Sequence, residues 1–258
     1  MFAAYDPDRL SFLPEWLREW LEDLVATFVL NFVDGDRYMY IVKGLWMTIR
    51  VTFFACLLGI ALGIVCAIIR STYDKCIMNM NKGFARHILR FFNTITNLYL
   101  TVIRGTPVVV QLMIAYFVIF ASSKNKIMVA VLAFGINSGA YVAEIIRSGI
   151  MSIDNGQFEA GRSLGFNYVQ TMAYIIIPQA FKNVLPALAN EFIVLLKETS
   201  VSGYIGLEDL TKGGDIIRSR TYSAFMPLLA VALIYLVIVI FFSKLVSLLE
   251  RRLRNSER

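Results

Sequence analysis

Long apolar runs separated by short polar segments dominate the chain. Five runs approach or exceed the roughly 20 residues that a helix needs to cross a bilayer, at about residues 44–69, 105–122, 127–146, 184–205 and 224–246. Lipid offers no hydrogen-bond partner to an open backbone, so we expect each run to be helical. The pattern predicts an all-α integral membrane protein with five transmembrane helices.

The segment before the first run has a different pattern. Residues 11–32 open with Ser11 and place apolar side chains, with Trp16 and Trp20 among them, three and four positions apart, with acidic residues between them. This stripe predicts an amphipathic helix on the outer membrane surface. A sixth, poor span is the alternative, and the acidic residues count against it. We therefore treat residues 1–37 as an acidic extracytoplasmic segment.

Composition and charge set the orientation. Apolar residues make up 57% of the chain, above the 45–50% or so of soluble domains. Lysine and arginine concentrate in residues 70–104 and after 243, so the positive-inside rule places the N-terminus outside and the C-terminus in the cytoplasm. The net charge of +6 is then a topology signal, with nucleic-acid binding the weaker explanation. Residues 38–250 form the five-span domain, and 251–258 a basic cytoplasmic tail.

The loop after the third run carries helix start and stop signals. Asp154 is suited to an N-cap, Gly165 to a left-handed helix end, and Asn167 to a second N-cap, while Pro178 limits the second helix. These signals predict a cytoplasmic elbow of two short helices at about 150–183. An ordinary amphipathic loop remains the alternative, because capping signals alone do not exclude it.

The elbow resembles the EAA signature of ABC importer membrane subunits: Glu-Ala-Ala, a glycine after three residues, then Ile-x-Leu-Pro after nine. The chain supplies Glu159-Ala160-Gly161, with glycine in place of the second alanine, then Gly165, and Ile175-Ile-Ile-Pro178, with isoleucine in place of leucine. Four further stretches are similar to polar amino-acid uptake permeases of the histidine/glutamine/arginine/opine type: 104–111, 137–141, 150–154 and 195–200. The resemblance covers roughly residues 38–250, so the acidic first 37 residues lie outside it.

The resemblance implies a fold like that of type I ABC importers and a coupling helix, within residues 154–178, that docks on a separate ATPase subunit. Glu159 and Arg162 would be its ion-pair contacts, and Ala160 and Gly161 would allow close approach. The sequence has no G-x-x-x-x-G-K-[ST] phosphate loop, so the chain does not bind ATP in that way. We therefore expect no cofactor on this chain, no catalytic residue and no metal site, with ATP and Mg²⁺ on the partner.

Polar residues inside the apolar runs are candidate substrate contacts, since charge at membrane depth is costly and usually functional. Lys197 and Glu198 would hold the carboxylate and the ammonium of a zwitterionic amino acid. Asn137, Tyr141 and Glu144 share one helix face by spacing. The full candidate set is Gln111, Asn137, Ser138, Tyr141, Lys197, Glu198, Thr199 and Ser200. The alternative is a structural Lys–Glu pair, or residues at the outer interface, and Gln111 is the weaker candidate.

The sequence as a whole indicates a permease subunit of an ATP-driven importer for polar amino acids in the inner or plasma membrane of a prokaryote. Its expected partners are ABC ATPase subunits, an extracytoplasmic amino-acid-binding protein, and a second permease in a homodimer or heterodimer. An ion-coupled secondary transporter or channel subunit is the competing class. It would explain charge inside the membrane, but it requires no capped elbow and often shows internal repeats, which are absent from this sequence.

Overall fold

A computed structural model describes residues 14–78, 80 and 83–255. The described chain is helical almost throughout and contains no strand. Its α-helices are α1 (Glu15–Phe28), α2 (Tyr38–Cys76), α3 (Phe84–Arg104), α4 (Val108–Ile114), α5 (Lys126–Met151), α6 (Asn155–Ser163), α7 (Tyr168–Thr171), α8 (Ile177–Glu198), α9 (Leu210–Thr221) and α10 (Phe225–Asn255). π-Helical turns at Val29–Val33, Ala115–Ile119 and Met172–Ile176 and 3-10 turns at Asp34–Asp36 and Thr199–Ile205 connect some of them.

Four helical segments are long and apolar enough to cross a membrane: α2, α5, the continuous helix Tyr168–Ile205 and Phe225–Leu253 of α10. The remaining predicted span, at residues 105–122, is not one straight helix. Helix α3 and the following helix, Val108–Ile119, meet at 107° and together qualify as one broken span. The run predicted at 105–122 is therefore only the second half of that span.

The bend between α3 and α4 has a local cause. Pro107 has the extended conformation φ −65°, ψ 136° and precedes α4 as its N-cap. Proline lacks the backbone N–H that a continuous helix requires, so α3 ends at Arg104 and a new helix starts at Val108.

Helices α2 and α5 form the centre of the molecule and approach closely at small residues. A Cβ atom on Gly59 would lie 3.0 Å from the Ser138 Cβ atom, and one on Gly139 would lie 3.0 Å from the Leu62 Cβ atom. Membrane helices commonly pack through such small residues, since lipid provides no hydrophobic drive for their association. Phe134, fully buried, lies in the core cluster between these helices.

Helix α9 covers the first turns of α2. A Cβ atom on Gly44 would lie 2.6 Å from the Asp209 carbonyl oxygen, so only glycine permits this crossing. The N-terminal helix is attached to the same region, because buried Asn31 donates to Ser223 Oγ and accepts from Thr221 Oγ1. Helix α1 itself has no buried residue. Ser11 lies outside the described residues.

The elbow has the predicted caps. The Asp154 carboxylate accepts from the Gly156 N–H, and Gly165 has φ +81°, a left-handed conformation that suits glycine. Asn167 forms a complete capping box with Gln170. Pro178 does not limit the second helix, contrary to the prediction. The helix continues through Pro178 from Tyr168 to Ile205, and a π-helical turn, Met172–Ile176, stands directly before the position where the backbone N–H is missing.

Candidate functional site

A cavity of about 500 Å³ lies between α3, α5 and α8. The α3 helix contributes Arg104, α5 contributes Tyr141 and Glu144, and α8 contributes Asn183 and Glu191. We call this space the inner cavity. It combines one guanidinium group and two carboxyl groups with neutral polar residues and a few small or apolar ones.

An ionic chain borders the inner cavity. Arg104 approaches Glu144 at 3.7 Å (Nη1–Oε2), and Glu144 accepts from Arg147 at 2.7 Å. Arg147 also contacts Asp74 of α2 at 3.1 Å. The Arg104 guanidinium lies 5.8 Å from the centre of the Tyr141 ring, and the Arg104 side chain is 44% exposed. Its contact with Glu144 is long, so Arg104 keeps donors for another oxygen.

Helix α8 contributes a buried carboxyl group to the inner cavity. Glu191 is 7% exposed, and Ser138 donates to its Oε1 atom at 2.9 Å. A carboxylate buried with one hydroxyl partner has unused acceptor capacity. The inner cavity can therefore offer a donor to a carboxylate at Arg104 and an acceptor to an ammonium group at Glu191.

One face of α8 is polar and exposed. Asn183, Asn190 and Lys197 are spaced seven residues apart, so they form one stripe along the helix. We call it the α8 stripe. An amide or ammonium group is costly against lipid, so this stripe must face water or protein in the membrane. Asn183, the member of the stripe nearest the start of α8, lies at the inner cavity.

A second cavity, of about 320 Å³, lies where α8 gives way to α9, and we call it the outer cavity. It is lined by Ser200, Tyr204, Lys212 and Asp215 among others. Lys212 Nζ donates to Asp215 at 2.8 Å, and Arg218 donates to the same carboxylate at 2.6 Å. The hydrogen bond from Lys212, followed by that from Arg218, lowers the pKa of Asp215, so this group stays ionised.

The elbow presents a mixed surface. Glu159, Ala160 and Arg162 are exposed on α6. Two large apolar side chains, Leu164 and Val169, are 70% and 71% exposed beside them. Apolar side chains flanked by charges are typical of a protein contact surface.

The comparison with known families decides the identity. Residues 59–255 match the family described as binding-protein-dependent transport system inner membrane component. The chain belongs to this permease family. It is therefore a membrane protein, and its relatives in the family are transport-system subunits.

The matches to individual relatives of this permease cover nearly the whole length of those relatives. It is 36% identical over 220 residues to the putative glutamine transport system permease protein GlnP of Rickettsia typhi, across 84% of this chain and 94% of the relative. It is also 36% identical over 222 residues to the arginine transport system permease protein ArtQ of Bacillus subtilis, with the same coverage of 84% and 94%.

Solved structures agree with the fold. A chain from the crystal structure of an amino acid ABC transporter with histidines is 43% identical, with a TM-score of 0.74 over 86% of this permease and 98% of that chain. A chain of the inward-facing MetNI methionine ABC transporter is 17% identical, with a TM-score of 0.71 over 85% and 99%. The second match concerns the fold alone. The all-α architecture of an ABC importer permease is thus confirmed.

The structure separates the predicted substrate contacts of this permease. Asn137 lies on the same face of α5 as Tyr141 and Glu144, as the spacing predicted, but it is buried and donates to Gln111 Oε1 at 3.0 Å, so it does not line the inner cavity. Gln111 in turn donates to the Ile103 carbonyl at 2.8 Å and to Thr106 across the bend. These two amides therefore brace the broken span.

The candidates on α8 also lie in different places. Lys197 is exposed on the α8 stripe, and Glu198 is half-buried next to it. Thr199 is fully buried between the Leu196 carbonyl, at 2.9 Å, and Thr52. Ser200 lies at the outer cavity. Of the eight residues in the full candidate set, only Tyr141 lines the inner cavity, together with Glu144 on the same helix face, and Ser138 is connected to the cavity by its hydrogen bond to Glu191.

Gly161 has a different place from the one predicted. It is buried inside the elbow against Thr171, so its small size serves internal packing rather than the approach of a partner.

Sequence reasoning missed three contributors to the inner cavity as binding residues: Arg104, Glu191 and Asn183. The seven-residue spacing of Asn183, Asn190 and Lys197 was a usable signal for the polar face. The exposed Leu164 and Val169 were also missed, because an apolar residue in a capped loop looks like a buried one in the sequence.

Proposed function

We propose that this chain is the membrane-spanning permease of an ATP-driven importer for polar amino acids. The observation that carries the proposal is the inner cavity, which places Arg104 and Glu191 on different helices around one space of about 500 Å³. Small-molecule pockets fall between roughly 300 and 1,000 Å³. A zwitterion fits this chemistry, with its carboxylate at Arg104 and its ammonium group at Glu191. The glutamine and arginine permeases among the relatives support the same substrate class.

A second permease completes the pathway in this proposal. Asn183, Asn190 and Lys197 are exposed on a membrane-spanning helix and would be poorly placed against lipid. A second copy, or a similar chain, facing this stripe would enclose water between the two subunits. The stripe leads from the inner cavity towards the end of α8, next to Glu198 and Ser200, which remain proposed secondary contacts.

The elbow transmits the force in this proposal. Glu159, Arg162, Leu164 and Val169 are exposed together and would insert into a separate ATPase subunit, which binds ATP and Mg²⁺ and carries out hydrolysis. The permease itself is then not catalytic. An extracytoplasmic binding protein would deliver the amino acid to the opposite face, near the outer cavity. The N-terminus lies outside and the C-terminus in the cytoplasm, as the charge distribution favours.

ATP binding drives transport only if the ATPase pair prefers one conformation of the permease over the other. Closure of the ATPases would draw two elbows together and open the pathway to the outside. The continuous helix from Tyr168 to Ile205 joins the elbow to the fourth span, so elbow movement reaches the α8 stripe without an intervening loop.

The test is reconstitution of the complete complex in proteoliposomes with its ATPase and binding protein. We expect uptake of one amino-acid class that requires ATP and stops with a hydrolysis-deficient ATPase. Uptake by this chain alone, driven by an ion gradient, would instead support the competing secondary-transporter class. Glu198→Gln in the same assay tests the secondary contact, and unchanged uptake with unchanged selectivity removes Glu198 from the pathway.

A direct binding measurement tests the inner cavity. Arg104→Gln removes the guanidinium group, whereas Arg220→Gln, on α9, serves as the matched control outside the cavity. A charged hydrogen bond contributes about 1.5–3 kcal/mol, so we expect roughly 10- to 150-fold weaker binding for Arg104→Gln. If Arg104→Gln binds L-glutamine and L-arginine as tightly as Arg220→Gln does, in a folded complex, the inner cavity is not the binding site.

A further inference from the structure

Helix α3 has three faces, and one of them is polar although it is exposed. Its buried face carries Asn93, Thr96 and Leu100. A second face is apolar and exposed, with Phe91, Ile95, Leu98 and Val102 exposed by 49–63%. The third face is polar and exposed, and it consists of His87, Arg90, Thr94, Asn97, Thr101 and Arg104.

These polar residues follow helical spacing, with intervals of three and four along 87–104, so they form one continuous strip. We call it the α3 strip. It lies between the buried face and the apolar face, and the apolar face is the one suited to lipid. Exposed polar groups beside a lipid-facing surface are expensive unless water or protein covers them.

The side chains of the α3 strip are poorly satisfied by the chain itself. Thr94 donates to the Arg90 carbonyl at 2.9 Å, and Arg104 has the long contact with Glu144 at 3.7 Å. Among the described residues, no hydrogen bond is formed by the side chains of Asn97 and Thr101. The donors and acceptors of this strip therefore remain available to water or to a passing solute.

The α3 strip ends at the inner cavity. Arg104, its last residue, lines that cavity together with Asn183, the first residue of the α8 stripe. The α3 strip and the α8 stripe thus meet at the inner cavity, and they extend from it in different directions. The α8 stripe leads towards the outer cavity, while the α3 strip leads back towards the start of α3 near Arg70, whose guanidinium donates to Asn93.

We propose that the α3 strip lines the route by which the amino acid leaves the inner cavity on the cytoplasmic side. The route deepens the proposed function and rests on it. The strip carries Arg90 and Arg104 and no acidic residue, so it attracts the carboxylate of the amino acid. It does not discriminate between different amino-acid side chains. Thr94, Asn97 and Thr101 supply neutral hydrogen-bond partners between the two cations.

Three pairs of adjacent residues make a matched experiment possible. Thr94, Asn97 and Thr101 belong to the strip, and the next residue in each case, Ile95, Leu98 or Val102, belongs to the lipid face. Each position is changed to cysteine in a complete importer complex from which Cys56, Cys66 and Cys76 have been removed. The reaction rate with a charged, membrane-impermeant maleimide added to the cytoplasmic face is then measured.

We expect the strip cysteines to react at least tenfold faster than their neighbours. Saturating L-glutamine or L-arginine, whichever the parent transports, should slow the reaction at Thr101→Cys, the position nearest the inner cavity. Equal rates within the pairs would overturn the proposal. Unreactive strip cysteines that cross-link instead to a second copy of the chain would also overturn it, because the strip would then be a subunit interface.

A bulky substitution gives an independent readout. Asn97→Trp should reduce ATP-driven uptake at least tenfold, whereas Leu98→Trp should leave uptake within twofold of the parent, with both complexes assembled normally on size-exclusion chromatography. Equal uptake by the two variants contradicts the route. If the cysteine-free parent transports an amino acid with ATP while these patterns fail, the proposed function stands and only the route is wrong. If the parent shows no ATP-driven uptake, the proposed function itself fails.

Discussion

Gly161 and Thr171 pack directly against each other inside the elbow. A Cβ atom on Gly161 would lie 2.7 Å from both Cγ2 and Oγ1 of Thr171, and 3.2 Å from the Ile175 Cδ1 atom. Thr171 is 2% exposed, so it has little room to move. The glycine that replaces the second alanine of the EAA-like stretch is therefore required by the neighbouring helix in this chain.

Gly161→Ala should destabilise the elbow. Overpacking costs about 1–3 kcal/mol, and each kcal/mol lowers Tm by about 2–4 °C in a chain of this size. Thermal unfolding of the purified permease measures the loss. Adding Thr171→Ala removes both crowding atoms and should restore most of the Tm. The exposed neighbour supplies the control, since Ala160→Ser should change Tm by less than about 1 °C. A lower Tm that Thr171→Ala fails to rescue argues against this packing.

Gln111 and Asn137 should act as a structural pair. Gln111→Leu leaves the Ile103 carbonyl without its side-chain donor, and Asn137→Leu leaves the Gln111 carbonyl without its donor. Each change should cost about 1–3 kcal/mol of stability. A double-mutant cycle on unfolding should show a coupling energy of about 0.5–3 kcal/mol. Additive stability losses together with weakened amino-acid binding would favour direct substrate contact at these residues.

Asp209 should make stability depend on pH. Burial raises its pKa to about 6, although hydrogen bonds from the Lys212 and Thr211 N–H groups oppose this shift. The unfolded carboxyl group loses its proton near pH 4, and the folded one near pH 6. The folded state therefore holds the proton over a wider range, and stability should fall as pH rises from about 4 to 6.

Asp209→Asn isolates this contribution, since asparagine keeps an N-cap oxygen for α9 but has no charge to bury. We expect the variant to be more stable than the parent above pH 6 by on the order of 2 kcal/mol, and nearly equal at pH 4. Unfolding curves between pH 4 and 8 provide the measurement. Parallel pH profiles for the two proteins would show that burial of Asp209 does not perturb its pKa.

Lys75 should help to join the elbow to α2. Its Nζ atom donates to Asn155 Oδ1 at 2.8 Å and lies 4.4 Å from the centre of the Phe158 ring. A hydrogen bond and a cation–π contact each contribute about 0.5–1.5 kcal/mol. Lys75→Met should lower the amount of amino acid transported per ATP by about twofold to tenfold without reducing basal ATPase activity. Lys75→Arg, which keeps a cation and a donor, is the matched control, and equal coupling ratios in both variants would contradict the role.

The sequence alone determined the features that depend on neighbours along the chain. The long apolar runs gave the membrane helices, since lipid leaves the backbone no alternative to a helix. Pro107 gave the bend before α4, and the Asn167–Gln170 capping box and left-handed Gly165 gave the elbow its two helices. Each of these rests on contacts within about four residues, which the order of side chains already specifies.

Tertiary structure decided which polar groups pair and which remain free. The spacing of Asn137, Tyr141 and Glu144 puts them on one helix face, yet Asn137 is hydrogen-bonded to Gln111 while the other two line the inner cavity. That outcome depends on how the broken span docks against α5. Pro178 is a second example. The sequence predicted that it limits the second elbow helix, but in the structure the helix continues through it after a π-helical turn. Angles between helices follow from packing over the whole molecule, and no local pattern in the sequence encodes them.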